Sequence, residues 1–152
     1  MNRSALNSIL SDQDMLRIAR VIGEQEKTTQ GEIRVALRKK RQWGEGKLSL
    51  HQLALKEFHR LGMDSTNQRI GVLIFLLLSE RKFHIIADEG IDTRVEHGTW
   101  DSIADTMGDF FHEGKFCEGI CSTVRVVGDI LSKHFPAGTE NIDELPNNVS
   151  VS

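Results

Sequence analysis

The chain has 152 residues, 39% of them hydrophobic and 27% charged, with a formal net charge of −3 at pH 7. That length suits one domain with a real core, and the acidic balance speaks against general affinity for nucleic acid. The first ten residues carry one Arg and no apolar segment, and no apolar run approaches the ~20 residues of a spanning helix. A soluble, cytoplasmic protein without signal peptide, lipid anchor or membrane span is expected.

Residues 1–10 read as an N-terminal extension to a single domain over 11–136. Ser11 suits a helix N-cap, with Asp14 as its capping-box partner, and Met15, Ile18, Ala19 and Ile22 recur on one helical face. From Glu32 to Leu37 apolar and polar residues alternate, which predicts a half-exposed strand. Arg38 to Arg41 with Gly44 and Gly46 then form a basic, flexible loop. Ser49 and Gln52 make a second capping box for a helix that buries Leu50, Leu53, Ala54, Phe58 and Leu61 and ends at Gly62. The uninterrupted apolar run Ile70 to Leu78 predicts a strand covered on both faces. Ser79 to Lys82 supplies a turn, Phe83 to Ala87 a returning strand, and Asp88-Glu89-Gly90 its end.

Two helices follow. Thr99 suits a cap for one that buries Trp100, Ile103, Met107, Phe110 and Phe111 and ends at Gly114; the last buries Phe116, Ile120, Val124, Val127 and Leu131. Cys117 and Cys121 fall on consecutive turns of that helix, a poor geometry for a disulfide, so both read as reduced core thiols. Residues 137–152 read as a polar tail, docked by Ile142 and Leu145. The fold class is α/β, a three-layer α/β/α sandwich around a small mixed sheet. One right-handed βαβ crossover and an antiparallel hairpin strand build that sheet.

An antiparallel third strand carries its C-terminal acids to the rim where its neighbours begin. Asp88, Glu89 and Asp92 are therefore expected to meet Glu32 on one side and Asp64, Ser65, Thr66 and Asn67 on the other. Oxygen donors on flexible loops suit a hard cation such as calcium, although the same residues also suit solvated loops and caps. The opposite rim carries Arg38 to Arg41, Trp43, Lys47 and the turn Ser79 to Lys82, a set that suits a phosphate or nucleic-acid backbone or, more plainly, a solvated loop. Six histidines are scattered without a zinc pattern; His51 and His59 read as a solvent-facing pair. No G-x-S-x-G, Walker or G-x-G-x-x-G motif occurs.

Several of these stretches together resemble a known family. They begin with Thr29-Gln30-Gly31-Glu32-Ile33-Arg34-Val35, Phe58 and Leu61-Gly62-Met63. The hairpin Gly71-Val72-Leu73-Ile74, Arg81-Lys82-Phe83 and Ile86-Ala87-Asp88-Glu89-Gly90-Ile91 follows. Trp100, Phe110-Phe111, Gly114, Gly119-Ile120, His134-Phe135-Pro136 and the stretch Asn141 to Pro146 complete the pattern. In order and spacing these resemble the TPM domain, over Ser11 to Pro146. The resemblance implies an α/β/α sandwich, calcium or another divalent metal at an acidic rim, and, from some plant relatives, acid phosphatase activity. It places Asp88 and Glu32 on family motif positions. Ile70 stands where the family usually has Asn, and Ala87 where it has Gly.

The expected function is thus a soluble domain that binds a divalent cation, calcium first, through Asp88, Glu89, Glu32, Asp64, Asn67 and Asp92. It would serve regulation or assembly of a protein partner. A metal-assisted acid phosphatase and a metal-independent protein-interaction module are the alternatives.

Overall fold

Two capping boxes start the first two long helices. In α1 (Asp12–Glu26) the Ser11 hydroxyl accepts from the Asp14 amide and the Asp14 carboxylate accepts from the Ser11 amide, both at 3.0 Å. In α2 (Leu50–Arg60) Ser49 and Gln52 exchange the same two bonds at 3.0 and 2.8 Å. Each box satisfies amide donors that the first helical turn leaves open. Beyond α2, Gly62 turns the chain at φ 74°, a conformation that favours glycine. These elements belong to a computed structural model that describes residues 9–138 and 149–152.

The sheet has four strands: β1 (Glu32–Arg38), β2 (Gly71–Leu77), β3 (Lys82–Ala87) and β4 (Ser150–Val151), in the order β3-β2-β1-β4. β1 and β2 are parallel, with Glu32 opposite Gly71 and Arg38 opposite Leu77; β3 runs antiparallel to β2. Every residue of β2 is buried, as its apolar run predicts. On one face Ile33, Val35, Leu37, Val72, Ile74 and Leu76 pack against α1 and two later helices, α4 (Thr99–His112) and α5 (Phe116–His134). On the other, Ala36, Leu73, Phe75 and Leu77 pack against Leu53, Ala54 and Phe58 of α2. The three-layer α/β/α sandwich expected from sequence is the observed fold.

Four features differ from the sequence reading. β1 is not half exposed: six of its seven residues are buried, and on its polar face the buried Arg38 is held by Glu45 and by Glu57 of α2. The stretch read as a tail returns to the sheet as β4, where the Ser152 amide donates to the Leu37 carbonyl and the Lys39 amide to the Ser152 carbonyl. Leu10, placed in the extension, is fully buried in the core. Gly98, at φ 88°, precedes α4 in place of a Thr99 cap, while the Thr99 hydroxyl donates to the Glu96 carbonyl. Cys117 and Cys121 are free and buried, as expected, and burial, with Cys121 alongside, pushes the Cys117 thiol up to about 12. Ile142, Leu145 and the stretch Asn141 to Pro146 lie outside the described residues.

Candidate functional site

The candidate rim is built at the end of β3. The Asp88 amide donates to the Gly71 carbonyl at 2.9 Å, which fixes Asp88 beside the start of β2. Asp88 is then the N-cap of a short helix, α3 (Glu89–Asp92), its carboxylate accepting from the Glu89 amide at 2.8 Å. Its side chain is 5% exposed.

A cation already meets this carboxylate. Arg69 donates from Nε to Oδ2 at 2.8 Å and from Nη2 to Oδ1 at 2.9 Å, a two-pronged guanidinium–carboxylate pair. Its Nη1 lies 3.9 Å from Glu89. The hydrogen bonds to Asp88 come first in raising the basicity of Arg69, and the fields of Glu89 and Asp64 add to it. Two successive left-handed residues, Gln68 at φ 62° and Arg69 at φ 58°, deliver the guanidinium. That conformation is uncommon outside glycine and is held by its surroundings. Gly90 is part of those surroundings: a Cβ there would stand 2.0 Å from the Gln68 carbonyl oxygen and 2.4 Å from that of Arg69. Gly90, read from sequence only as part of the strand's end, serves the close approach of two backbones.

The six expected ligands do not converge equally. Asp88, Glu89 and Asp64 share the field of Arg69. Asp64 is also paired with His59 Nδ1 at 3.0 Å, and that bond holds its carboxyl below the ordinary value. Asp92 accepts from Trp100 Nε1 at 2.9 Å and faces a groove of about 560 Å³ shared with His84. Glu32 is buried at the head of β1, within the field of Arg34, and Asn67 is exposed. Thr66, in the same loop, is buried, and its hydroxyl has no hydrogen-bond partner among the described residues. Among those residues no three His, Cys, Asp or Glu side chains are arranged to hold a metal ion. The carboxylates of Asp88, Glu89 and Asp64 have the chemistry a hard cation takes, but the central place among them is held by Arg69. Sequence reasoning missed Arg69 because no glycine marks the left-handed turn that presents it.

On the opposite rim Lys40, Trp43 and Lys47 are exposed, as a solvated loop would have them, whereas Arg38 and Arg41 are taken up by internal partners. Arg38 is 2% exposed and binds Glu45 at 2.5 Å, with Glu57 at 3.7 Å. Burial pushes the Glu45 carboxyl up, but hydrogen bonds from Arg38, Lys56 and the Gln42 amide outweigh it and bring the group down to about 2. Arg41 is spent on Glu80 at 2.5 Å and on the carbonyls of Glu45 and Leu48. His51 and His59 are both exposed, as expected, and each has a polar partner: His51 Nδ1 lies 3.0 Å from His84 Nε2, and His59 holds Asp64. Burial first, and then His51, lowers the basicity of His84.

Comparison with known proteins agrees with the fold. Residues 5–130 match the family model of the TPM domain. The solution structure of protein BA42 from the psychrophilic bacterium Bizionia argentinensis is 34% identical, with a TM-score of 0.82 over 92% of this chain and 93% of that one. The N-terminal domain of a protein from P. gingivalis is 20% identical (TM-score 0.67, covering 86% and 83%). The N-terminal domain of cg2496 from Corynebacterium glutamicum is 13% identical (TM-score 0.61, covering 89% and 81%). These last two share the fold alone. No curated protein sequence matches. Among the described residues no helix is long and apolar enough to cross a membrane.

Proposed function

This chain belongs to the TPM domain family, and from that premise we propose that it binds a divalent cation, calcium first, at the rim around Asp88. The observation that carries the reading is the Arg69–Asp88 pair. A nearly buried carboxylate needs a positive partner, and here the partner is a side chain that is itself 49% exposed. Arg69 can therefore swing into solvent and leave Asp88, Glu89 and the Thr66 hydroxyl to an oxygen-seeking ion. When bound, the ion supplies fixed positive charge that ties the 63–70 loop to α3. In the metal-free protein Arg69 performs that tie, so the role we assign is regulatory or assembly-related: binding exchanges an internal cation for an external one and frees a guanidinium for a protein partner in the cytoplasm.

A second reading, metal-assisted hydrolysis of a phosphomonoester, is favoured by the same residue, because a released guanidinium beside the ion suits a phosphoryl oxygen. The test is the melting temperature of the metal-stripped chain against calcium and, separately, magnesium. Binding to the native state adds about 2.7 kcal/mol at a hundredfold excess over Kd. A saturable rise that Asp88→Asn abolishes is expected. A flat response in the parent overturns both metal readings and leaves a metal-independent interaction module. Metal-dependent phosphate release in the same preparation selects the second reading over the first.

A further inference from the structure

Between the β2–β3 turn and the junction of α4 and α5 the described residues leave a cavity of about 180 Å³. Three rings line it in sequence: Phe83 meets Phe111 edge to face at 5.2 Å between centroids, and Phe111 meets Phe116 at 5.3 Å. Ile120 adds to this apolar wall. The polar side chains in the lining are Arg81 and Lys82, both cationic. Lys82 lies 3.8 Å from Glu80, a carboxylate already committed to Arg41. Arg81 makes no ion pair and no side-chain hydrogen bond among the described residues. It sits at φ 52°, a left-handed position that a bulky side chain occupies at a cost.

We propose that this cavity is a binding site for a small amphipathic carboxylate, an aryl or short-chain alkyl acid. Its apolar end enters among the three rings, and its carboxylate is met by Arg81 and Lys82. Size supports this occupant: an engineered apolar cavity of about 150 Å³ takes up benzene. Charge supports it too, because a lining whose polar groups are all cationic rewards an anionic head and rejects an ammonium. A guanidinium without a partner offers the paired donors that a carboxylate accepts. The site is separate from the Asp88 rim, at the opposite end of β3, and nothing in the proposal depends on metal binding.

The experiment is a titration of the ¹⁵N-labelled full chain with phenylacetate, 2-phenylethanol and 2-phenylethylammonium, which share a ring and differ in charge. Phenylacetate should give saturable amide shifts at Phe83, Phe111 and Phe116. It should bind about tenfold more tightly than the alcohol, the worth of one charge-assisted hydrogen bond. Arg81→Gly suits the left-handed backbone and so preserves the fold; it should cut that advantage severalfold, Lys82 remaining, while leaving the alcohol unchanged. Equal binding of acid and alcohol would reduce the site to an apolar void and overturn the proposal. So would an unaltered phenylacetate affinity in Arg81→Gly. Absence of saturation with all three compounds means that the chain itself fills or closes the cavity in solution, which overturns it as well.

Discussion

Arg69 grips Asp88 through two hydrogen bonds, at 2.8 and 2.9 Å, from a residue whose own backbone is left-handed. A strained backbone and a two-pronged contact at one residue make Arg69 the internal competitor of any ion that reaches the rim. Arg69→Ala should therefore lower the metal-free melting temperature, because Asp88 loses its partner, yet tighten calcium binding by about tenfold. Calorimetric titration of parent and variant checks this. Equal or weaker calcium binding in Arg69→Ala would place the cation elsewhere.

Gly90 faces the same loop from the other side. An alanine Cβ would meet backbone oxygens at 2.0 and 2.4 Å, and backbone cannot rotate away as a side chain can. Gly90→Ala should cost about 3 kcal/mol and lower the melting temperature by roughly 6–12 °C, as overpacking does in a domain of this size. Thermal unfolding followed by circular dichroism reads it directly. A loss below 1 °C would show that the loop is free to withdraw.

Glu45 ties stability to acid. Its carboxyl is held at about 2 in the folded chain, below the ordinary 4.5. A depressed carboxylate contributes stability that is complete above pH 4.5 and is lost as the pH falls from there towards 2. Denaturant unfolding at stepped pH should show stability falling across that window. In Glu45→Gln the fall should be shallower and the stability at pH 7 already lower by about 3 kcal/mol, since Arg38 is left buried with a weakened partner. An unchanged slope would assign the acid sensitivity to other carboxylates.

His84 offers an independent check on the α2 layer. Burial lowers its basicity, His51 lowers it further, and Asp101 opposes both. Removing the second imidazole should leave only the burial contribution against Asp101, so His51→Ala should raise the His84 pKa towards 6.5. Ring-proton chemical shifts titrated by NMR would follow it. A further drop would mean that the hydrogen bond across 3.0 Å favours the protonated ring.

Much of this architecture can be read without coordinates. Ser11 with Asp14 and Ser49 with Gln52 announce helix starts by local chemistry alone, and the run through β2 announces a strand covered on both sides. What stayed hidden depends on distant partners. Arg38 alternates like a solvent-facing residue, and only Glu45 and Glu57, brought over it by the fold, make its burial tolerable. Two residues of β4 carry no periodicity to detect. Asp88 and Glu89 were legible as acids at a strand end, but Arg69 was not. Its position follows from Gln68 and Arg69 adopting a conformation that their side chains do not favour.

The two tryptophans turn the rim into its own optical probe. The chain has no tyrosine and two tryptophans, so its ultraviolet emission is the sum of two indoles in contrasting settings. Trp43 stands fully in water beyond β1, while Trp100 is half-buried and bonded through Nε1 to Asp92, on the short helix that Asp88 caps. Water around Trp43 is the same whatever happens at the other end of the sheet, so its emission is a constant background. Any change in intensity or wavelength when an ion arrives belongs to Trp100. A Trp43→Phe chain is then a single-fluorophore reporter of α3, readable in a cuvette without label or dye.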